Sequence, residues 1–464
     1  MNNNKNVCSE VVSSGFCAGC GVCAGVCPQN NLEMRFNELG EYNPFEPAIG
    51  KCIAKCNVCL KICPFYDNEK DEDAIGREYY FSVEGIKHNT ETGYYLHNYV
   101  GYSSRGNHRI NGTSGGMLTW TLENLLNMHI VDAVVCVKPS SSGQPFFDFT
   151  ICNSVDEIRL CSRSCYYPVE ISSVIRDIMV SDKSYAIVGL PCVCKAIRLA
   201  MSVYPMLKKR IKYLLGLVCG QGKSSFFLEY LVGLSGVDIR RASKISFRVK
   251  DEKKPASSGG YISITHEGHN GVIEQLVDWH KVAARPWLDR YFTLHSCDFC
   301  DDVYAECADA AFMDAWLQAY SDDWKGHSIV LIRNPSIADI YKDADPISLA
   351  VNDIPIDKVI ESQYGALNDK RRNMKIRMDI ARRNGIVLPK KRDLHYPVQY
   401  QFAIKQLILD QLAISMKLPA LWKDTNGNIE VFHRRSNAER SATDRANLMI
   451  SLFRYPNAIL RRIL

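Results

Sequence analysis

The feature that most constrains this chain is a bunching of cysteines near its start. Eight of its nineteen cysteines fall between residues 17 and 63. They form two quartets, Cys17, Cys20, Cys23 and Cys27 in "CAGCGVCAGVCP" and Cys52, Cys56, Cys59 and Cys63 in "CIAKCNVCLKICP". Each quartet runs into a proline, Pro28 and Pro64. A disulfide framework would spread its cysteines through a small secreted chain. Bunched thiols in a chain of 464 residues point to metal held in a reducing compartment, and the expected location is the cytoplasm. The opening "MNNNKNVCSEVV" lacks the basic segment followed by an apolar one that marks a secretory signal. No apolar run approaches the roughly 18 residues of a membrane span.

The first quartet has the spacing Cys-x2-Cys-x2-Cys-x3-Cys-Pro of a two-cluster ferredoxin, in which the fourth cysteine ligates the other cluster. The second quartet admits two readings. Cys-x3-Cys-x2-Cys over residues 52–59 matches an enzyme that splits S-adenosylmethionine by radical chemistry. That chemistry needs an iron left open, whereas Cys27 is available to close it, and the motif here runs into Pro64 and the charged run "DNEKDED" rather than a barrel. The cross-ligated pair is therefore the better account. Cys17, Cys20, Cys23 and Cys63 are expected on one 4Fe-4S cluster, and Cys27, Cys52, Cys56 and Cys59 on a second. Zinc or a disulfide knot is the discarded reading. Ala18, Gly19, Gly21 and Ala24 suit a backbone that must aim N–H groups at sulfur. A looser third group is Cys192, Cys219, Cys297 and Cys300. By spacing alone it suits buried thiols or a zinc site as well as a cluster. Cys8, Cys136, Cys152, Cys161, Cys165, Cys194 and Cys307 are expected to be unligated.

Residues 1–75 read as a small cysteine-rich domain closed by a charged linker. From 76 to 395, apolar runs of strand length alternate with helical windows. The runs are "VDAVVCV" (131–137), "SYAIVGL" (184–190), "YLLGLVC" (213–219) and the late "HSIVLIRNP", and the windows include 117–128 and 193–204. Continuous apolar strands alternating with helices predict a mostly parallel sheet buried on both faces, with ligands beyond the carboxyl ends of its strands. Residues 396–464 read as a helical tail. Its window "FAIKQLILDQLAISMKL" carries the apolar set Ile404, Leu407, Ile408, Leu412 and Ile414, which predicts packing on the parent domain rather than on a membrane surface.

Charge is informative only locally. A formal +5 gives no reason to expect a nucleic-acid partner. Between Lys370 and Arg392, ten lysines or arginines stand against one acid, Asp379. The ordinary reading of such a run is a solvated helix face, and the sharper one is a docking strip for an acidic partner such as a ferredoxin.

The stretch "RINGTSGGMLTW" puts Gly112, Gly115 and Gly116 with Thr113 and Ser114 just ahead of a helix. Such a loop allows close approach of an anion to unpaired N–H groups, although turn chemistry alone would explain its composition. Order along the chain adds to this. "GTSGGMLT", "SRSCYYP", "VGLPCVCKAIR", "GLVCGQGKSSFF", "ISFRVKD", "HSCDFCDDVYAECADAAFMDAW" and "SIVLIR" follow the cysteine-rich start in the sequence of landmarks found in the family of coenzyme F-420 (deazaflavin) hydrogenase and dehydrogenase beta subunits. From residue 17 to about 335 the chain resembles that family.

The resemblance implies an FAD-binding α/β core between the ferredoxin-like domain and the helical tail. Flavin there would pass electrons between 4Fe-4S clusters and a two-electron carrier or substrate, with ferredoxin, reduced deazaflavin or other redox subunits as partners. It makes Cys192, Cys219, Cys297 and Cys300 a third 4Fe-4S site. It also places the flavin phosphates at Gly112, Thr113, Ser114, Gly115 and Gly116, with Arg163, Ser164, Tyr166, Arg248 and Lys250 as contacts to flavin or substrate. Two departures bear on the substrate. "RSCY" lacks the family's lysine, and "ADAAFMDAW" lacks the glycine that usually precedes its aspartate. Asp309, Asp314 and His295 stand near the Cys297/Cys300 pair and are expected to be structural. No catalytic acid is identified. The competing classes are a non-catalytic electron-transfer subunit and a flavin-free iron-sulfur sensor or interaction protein.

Overall fold

The computed structural model describes residues 5–47, 52–53, 55–67, 70–140, 143–268, 271–392 and 402–454. Its centre is an eight-stranded sheet, whose strands are numbered here in chain order: β1 (His97–Ser103), β2 (Ala133–Pro139), β3 (Phe147–Cys152), β4 (Tyr185–Gly189), β5 (Ile211–Leu217), β6 (Ala310–Asp314), β7 (Ser328–Ile332) and β8 (Leu349–Asp353). The spatial order is β8-β1-β7-β6-β5-β4-β2-β3. The four apolar runs read from sequence are β2, β4, β5 and β7. Strands β2, β4, β5 and β6 run parallel side by side, as expected of buried apolar strands. The flanking strands β3, β7, β1 and β8 add antiparallel pairings.

Alternation along the strands explains the continuous apolar runs. Ala133, Val135 and Ile187 face one core, which includes Ile175, Ala196 and Ile197 of the helices Ser172–Val180 and Pro191–Val203. Val134, Cys136, Ala186 and Val188 face the other, against Trp120, Leu122 and Leu125 of the helix Met117–Asn127 and Ile337 of the helix Pro335–Lys342. The cysteine-rich segment joins the first core through Val7, Val22, Leu60 and Ile62. A separate three-stranded antiparallel sheet, Ala242–Val249, Tyr261–Gly268 and Gly271–Asp278, packs beside the main one.

Two sequence readings are corrected. The charged run taken as a linker starts a helix: Asp71 caps the N-terminus of Glu72–Tyr80 through the Ala74 N–H, and buried Glu72 pairs with Lys195 at 3.0 Å. Neither reading of the basic stretch holds along its length, because Lys370, Arg371, Arg377 and Arg392 are buried and bound to acidic or carbonyl oxygens of residues 298–306. Only parts of it, such as Arg382 and Arg383, face solvent.

The tail forms the helices Phe402–Asp424, Ile429–Arg435 and Asn437–Arg454. Its residues Ile414, Leu418, Trp422 and Phe432 pack on Phe227, Tyr230 and Phe292 of the preceding domain, as the apolar periodicity predicts. The boundary expected near residue 395 lies outside the described residues. Among the described residues, no helix is long and apolar enough to cross a membrane.

Candidate redox site

A cavity of about 850 Å³ opens at the carboxyl ends of the parallel strands, lined there by Val137, Gly189, Leu217 and Asp314. The glycine loop forms one side. Gly116 takes a left-handed φ of 77° and caps the helix Met117–Asn127. The loop is pinned to the sheet, with Gly115 N–H donating to Ser328 Oγ at 2.8 Å and Ser103 N–H to Gly115 O at 2.8 Å. A Cβ at Gly115 would stand 2.5 Å from Gly101 O and 2.6 Å from Ser328 N, so no side chain fits. Lys250 braces the loop from behind, its ammonium donating to the carbonyls of Arg109, Ser114 and Lys325 at 2.5, 2.7 and 2.6 Å. Burial, reinforced by the Arg248 charge, pushes the Lys250 pKa down to about 7.

The segment 163–166 faces this loop across the cavity mouth, and Ser164 Oγ donates to Thr113 Oγ1 at 3.2 Å. Arg163 has a φ of 103°, and its buried Nη1 has no hydrogen-bond partner among the described residues. An unpaired guanidinium N–H beside a glycine loop is a donor set suited to an anion such as a phosphate. Arg248 is bound to Asp314 by two bonds of 2.8 and 3.0 Å, which brings Asp314 into the site rather than the purely structural place expected of it. Tyr166 packs on Trp279 and Trp287, with ring centroids 5.3 and 4.9 Å away, forming an aromatic wall. All of the proposed flavin contacts except Gly115 and Lys250 line the cavity directly.

The other wall is cysteine-rich, with Cys17, Cys20, Cys192 and Cys219 exposed to the cavity. Cys23 lies within electrostatic reach of Cys17, Cys20, Cys63 and Cys59, and Cys52 within reach of Cys27 and Cys56, with Cys59 reaching both Cys52 and Cys56. Cysteines of the two quartets therefore lie near one another. Lys55, within the widened spacing, takes a left-handed φ of 66°, and Cys56 N–H closes a turn onto Ile53 O at 3.0 Å.

The loose third group also converges. Cys192 is within reach of Cys219, Cys297 and Cys300, and also of Cys20 from the first quartet. Burial pushes the Cys17 and Cys297 thiols up to about 12 and the Cys20 thiol to about 11. Without a cation these groups are neutral, and a bound metal would deprotonate them. Backbone amides point at the sulfurs: Gly19 N–H at Cys17 (3.4 Å), Asn31 N–H at Cys27 (3.4 Å) and Gly222 N–H at Cys297 (3.1 Å). Among the described residues, none of these twelve belongs to a group of three whose ligand atoms all lie within 4.8 Å of one another.

Residues 98–176 match the family model for the coenzyme F-420 hydrogenase/dehydrogenase beta subunit, N-terminal part, and residues 182–354 match that for its C-terminal part. The chain belongs to this family of beta subunits. The match includes the glycine loop, Arg163, Arg248 and the third cysteine group, and leaves the first two quartets and residues beyond 354 outside.

Two curated relatives are a coenzyme F-420-dependent sulfite reductase of Methanocaldococcus jannaschii and a component of the F(420)H(2) dehydrogenase of Methanosarcina mazei. The first is 24% identical over 52% of this chain and 36% of the relative, and the second 22% identical over 46% and 55%. The chain thus spans about a third to a half of the length of these relatives. Among solved structures, the xenon-derivatised F-420-reducing NiFe hydrogenase complex of Methanosarcina barkeri is similar with a TM-score of 0.45 and 14% identity, over 63% of this chain and 94% of that one.

Several site residues carry no signal of their own in the sequence. Lys223 lies in the cavity wall, donating to Tyr291 O (2.9 Å), Thr293 Oγ1 (3.0 Å) and Gln221 Oε1 (3.1 Å), and burial drives its pKa well down. Lys370 Nζ approaches Cys300 Sγ at 3.2 Å. Trp279 and Trp287 reach the site from more than a hundred residues beyond Tyr166. Asp309 and His295 take structural places as expected. Asp309 is buried against Arg198 at 2.8 Å, and His295 stacks on Phe16 with centroids 5.2 Å apart.

Proposed function

We propose that this chain is an iron-sulfur flavoprotein and an electron-transfer oxidoreductase. In this reading, Cys17, Cys20, Cys23 and Cys63 hold one 4Fe-4S cluster, Cys27, Cys52, Cys56 and Cys59 a second, and Cys192, Cys219, Cys297 and Cys300 a third. FAD lies in the cavity with its phosphates at residues 112–116 and Arg163. The observation that carries the proposal is that one cavity is walled by the glycine loop on one side and by cysteines of the first quartet and of the third group on the other. The open donor on Arg163 and the side-chain-free glycines support the fit of a dinucleotide there.

Bound flavin would exchange one electron at a time with clusters and a hydride with a two-electron partner. The protein's own part is to position and to shield. Residues 112–116 orient the phosphates, Tyr166, Trp279 and Trp287 exclude water from the ring site, and Arg248, fixed by Asp314, presents a charge to the cavity. The names of the relatives make a deazaflavin the leading two-electron partner and other redox subunits the leading assembly. Purification without oxygen followed by iron and flavin analysis tests this. About twelve irons and one FAD per chain are expected. Gly115→Val should lose the flavin and keep the iron, because its side chain would collide with two backbone atoms. Eight irons with no flavin would overturn the reading in favour of a flavin-free iron-sulfur protein.

A further inference from the structure

Three cysteines that belong to none of the quartets meet at the edge of the same cavity. Cys136 lies on β2 and Cys152 ends β3, and the antiparallel register that pairs Val134 with Cys152 and Cys136 with Thr150 makes them diagonal neighbours. The chain then turns through a capping box of Ser154 and Glu157 into the short helix Val155–Leu160, whose C-terminal cap is Cys161. This turn returns the third thiol to the other two. Cys152 Sγ and Cys161 Sγ stand 3.7 Å apart, and all three sulfurs lie within 4.8 Å of one another. Among the described residues, this is the only such group of potential metal ligands.

We propose that Cys136, Cys152 and Cys161 form a mononuclear site for one thiophilic d10 cation, zinc(II) or copper(I). Spacing separates it from the cluster sites. With a metal-sulfur bond of about 2.3 Å, two thiolates on one tetrahedral ion stand ~3.8 Å apart, close to the Cys152–Cys161 separation. Ligand softness supports the same class of ion, because an all-thiolate set selects zinc and copper(I) over magnesium or calcium. Cys136 and Cys161 line the cavity, so a metal on the three sulfurs has an entry path from that space. Lys138 lies within electrostatic reach of Cys152 and Cys161 and offsets part of the negative charge of three thiolates. The site does not depend on flavin being the cavity's ligand.

The test uses the full chain purified without oxygen, with zinc, copper and iron counted by elemental mass spectrometry. About one equivalent of zinc or copper beyond the iron is expected, and reloading with each metal separately distinguishes the two. Cys152→Ser should lose that equivalent while its iron content stays unchanged. Cys161→Ser, at a partly exposed helix end, is the milder second variant and should also lose it. Cadmium-113 NMR of the cadmium-loaded protein should show a three-sulfur environment that disappears in both variants. Neither metal above background, metal retained in both variants, or a Cys152–Cys161 disulfide under these conditions would overturn the proposal.

Discussion

Replacing Lys370 with methionine removes one buried positive charge from beside the third cysteine group and keeps the length of the side chain. Lys370 is 1% exposed, its Nζ is 3.2 Å from Cys300 Sγ and 2.8 Å from Asp302 O, and negative charge on Cys300, Cys219 and Cys297 raises its pKa above the usual lysine value. At 3.2 Å and an effective dielectric of about 20, one charge on that sulfur would be worth roughly 5 kcal/mol. An electron added to a cluster beyond the sulfur sits about twice as far away, which leaves ~2.5 kcal/mol. At about 59 mV and about 1.4 kcal/mol per tenfold change for one electron, the loss corresponds to ~100 mV. Loss of a cation disfavours the reduced state, so the midpoint of one cluster should fall by that amount. Redox titration followed by electron paramagnetic resonance would read it, with Lys370→Arg as the variant that keeps the charge and most of the potential. An unchanged midpoint, or an equal shift in every cluster, would refute the placement of Lys370 at a cluster bound by Cys300.

Three further outcomes follow from buried charges. Lys250, at about 7 in the free protein, should gain a proton when an anion occupies the loop it braces. FAD affinity is therefore expected to be strongest below about pH 7 and to weaken above it by at most about 1.4 kcal/mol per pH unit. Stability of the flavin-free chain should move the other way, rising between about pH 7 and the ordinary lysine value because the unfolded state holds the extra proton there. Flavin fluorescence titrations across pH, compared with Lys250→Met, test the first, and a flat profile in the unmodified protein contradicts it. Arg392→Met removes bonds of 2.9 Å to Asp301 and of 2.7 and 3.0 Å to Glu306, leaving buried carboxylates under-compensated. A loss of roughly 3–5 kcal/mol in urea unfolding is expected, and a loss below about 1 kcal/mol, typical of a surface pair, would show that these ions are hydrated.

Local signals in the sequence were legible where physics is local. The apolar runs that became β2, β4, β5 and β7 could be read because burial on both faces demands unbroken hydrophobicity. The glycine loop could be read because Gly115 and Gly116 serve close backbone approaches that a Cβ would block. The antiparallel flank was harder. Strand β1, "HNYVGYS", buries Asn98, Val100, Gly101 and Ser103 in no regular order and has a single aliphatic residue, so neither alternation nor apolar continuity marks it. The three thiols at Cys136, Cys152 and Cys161 have no motif, since a hairpin register and a one-and-a-half-turn helix bring them together. Tyr166, Trp279 and Trp287 likewise meet only through tertiary packing.

The basic stretch shows why a charge run cannot be judged from its own composition. Its ten cations against one acid look unbalanced within residues 370–392, yet the balancing charges stand in "CDFCDDVYAEC", about 70 residues earlier. There Arg377 holds Asp298 O at 2.7 Å, Arg371 holds Asp301 O at 3.1 Å and Glu306 Oε1 at 2.8 Å, and Arg392 binds Asp301 and Glu306 together. These partners flank Cys297 and Cys300, so the cations fix the loop that presents both sulfurs. Residues beyond the matched range 182–354 therefore position the loop of Cys297 and Cys300 within it. A chain cut at 354 would keep all twelve cysteines and lose the charges that hold two of them in place. The buried acids left behind, Asp301 and Glu306, would then repel one another and draw in water, loosening the loop of Cys297 and Cys300 first, whereas Asp298 would keep Arg290. The first two quartets, held by their own apolar contacts Val7, Val22 and Ile62, would be affected less.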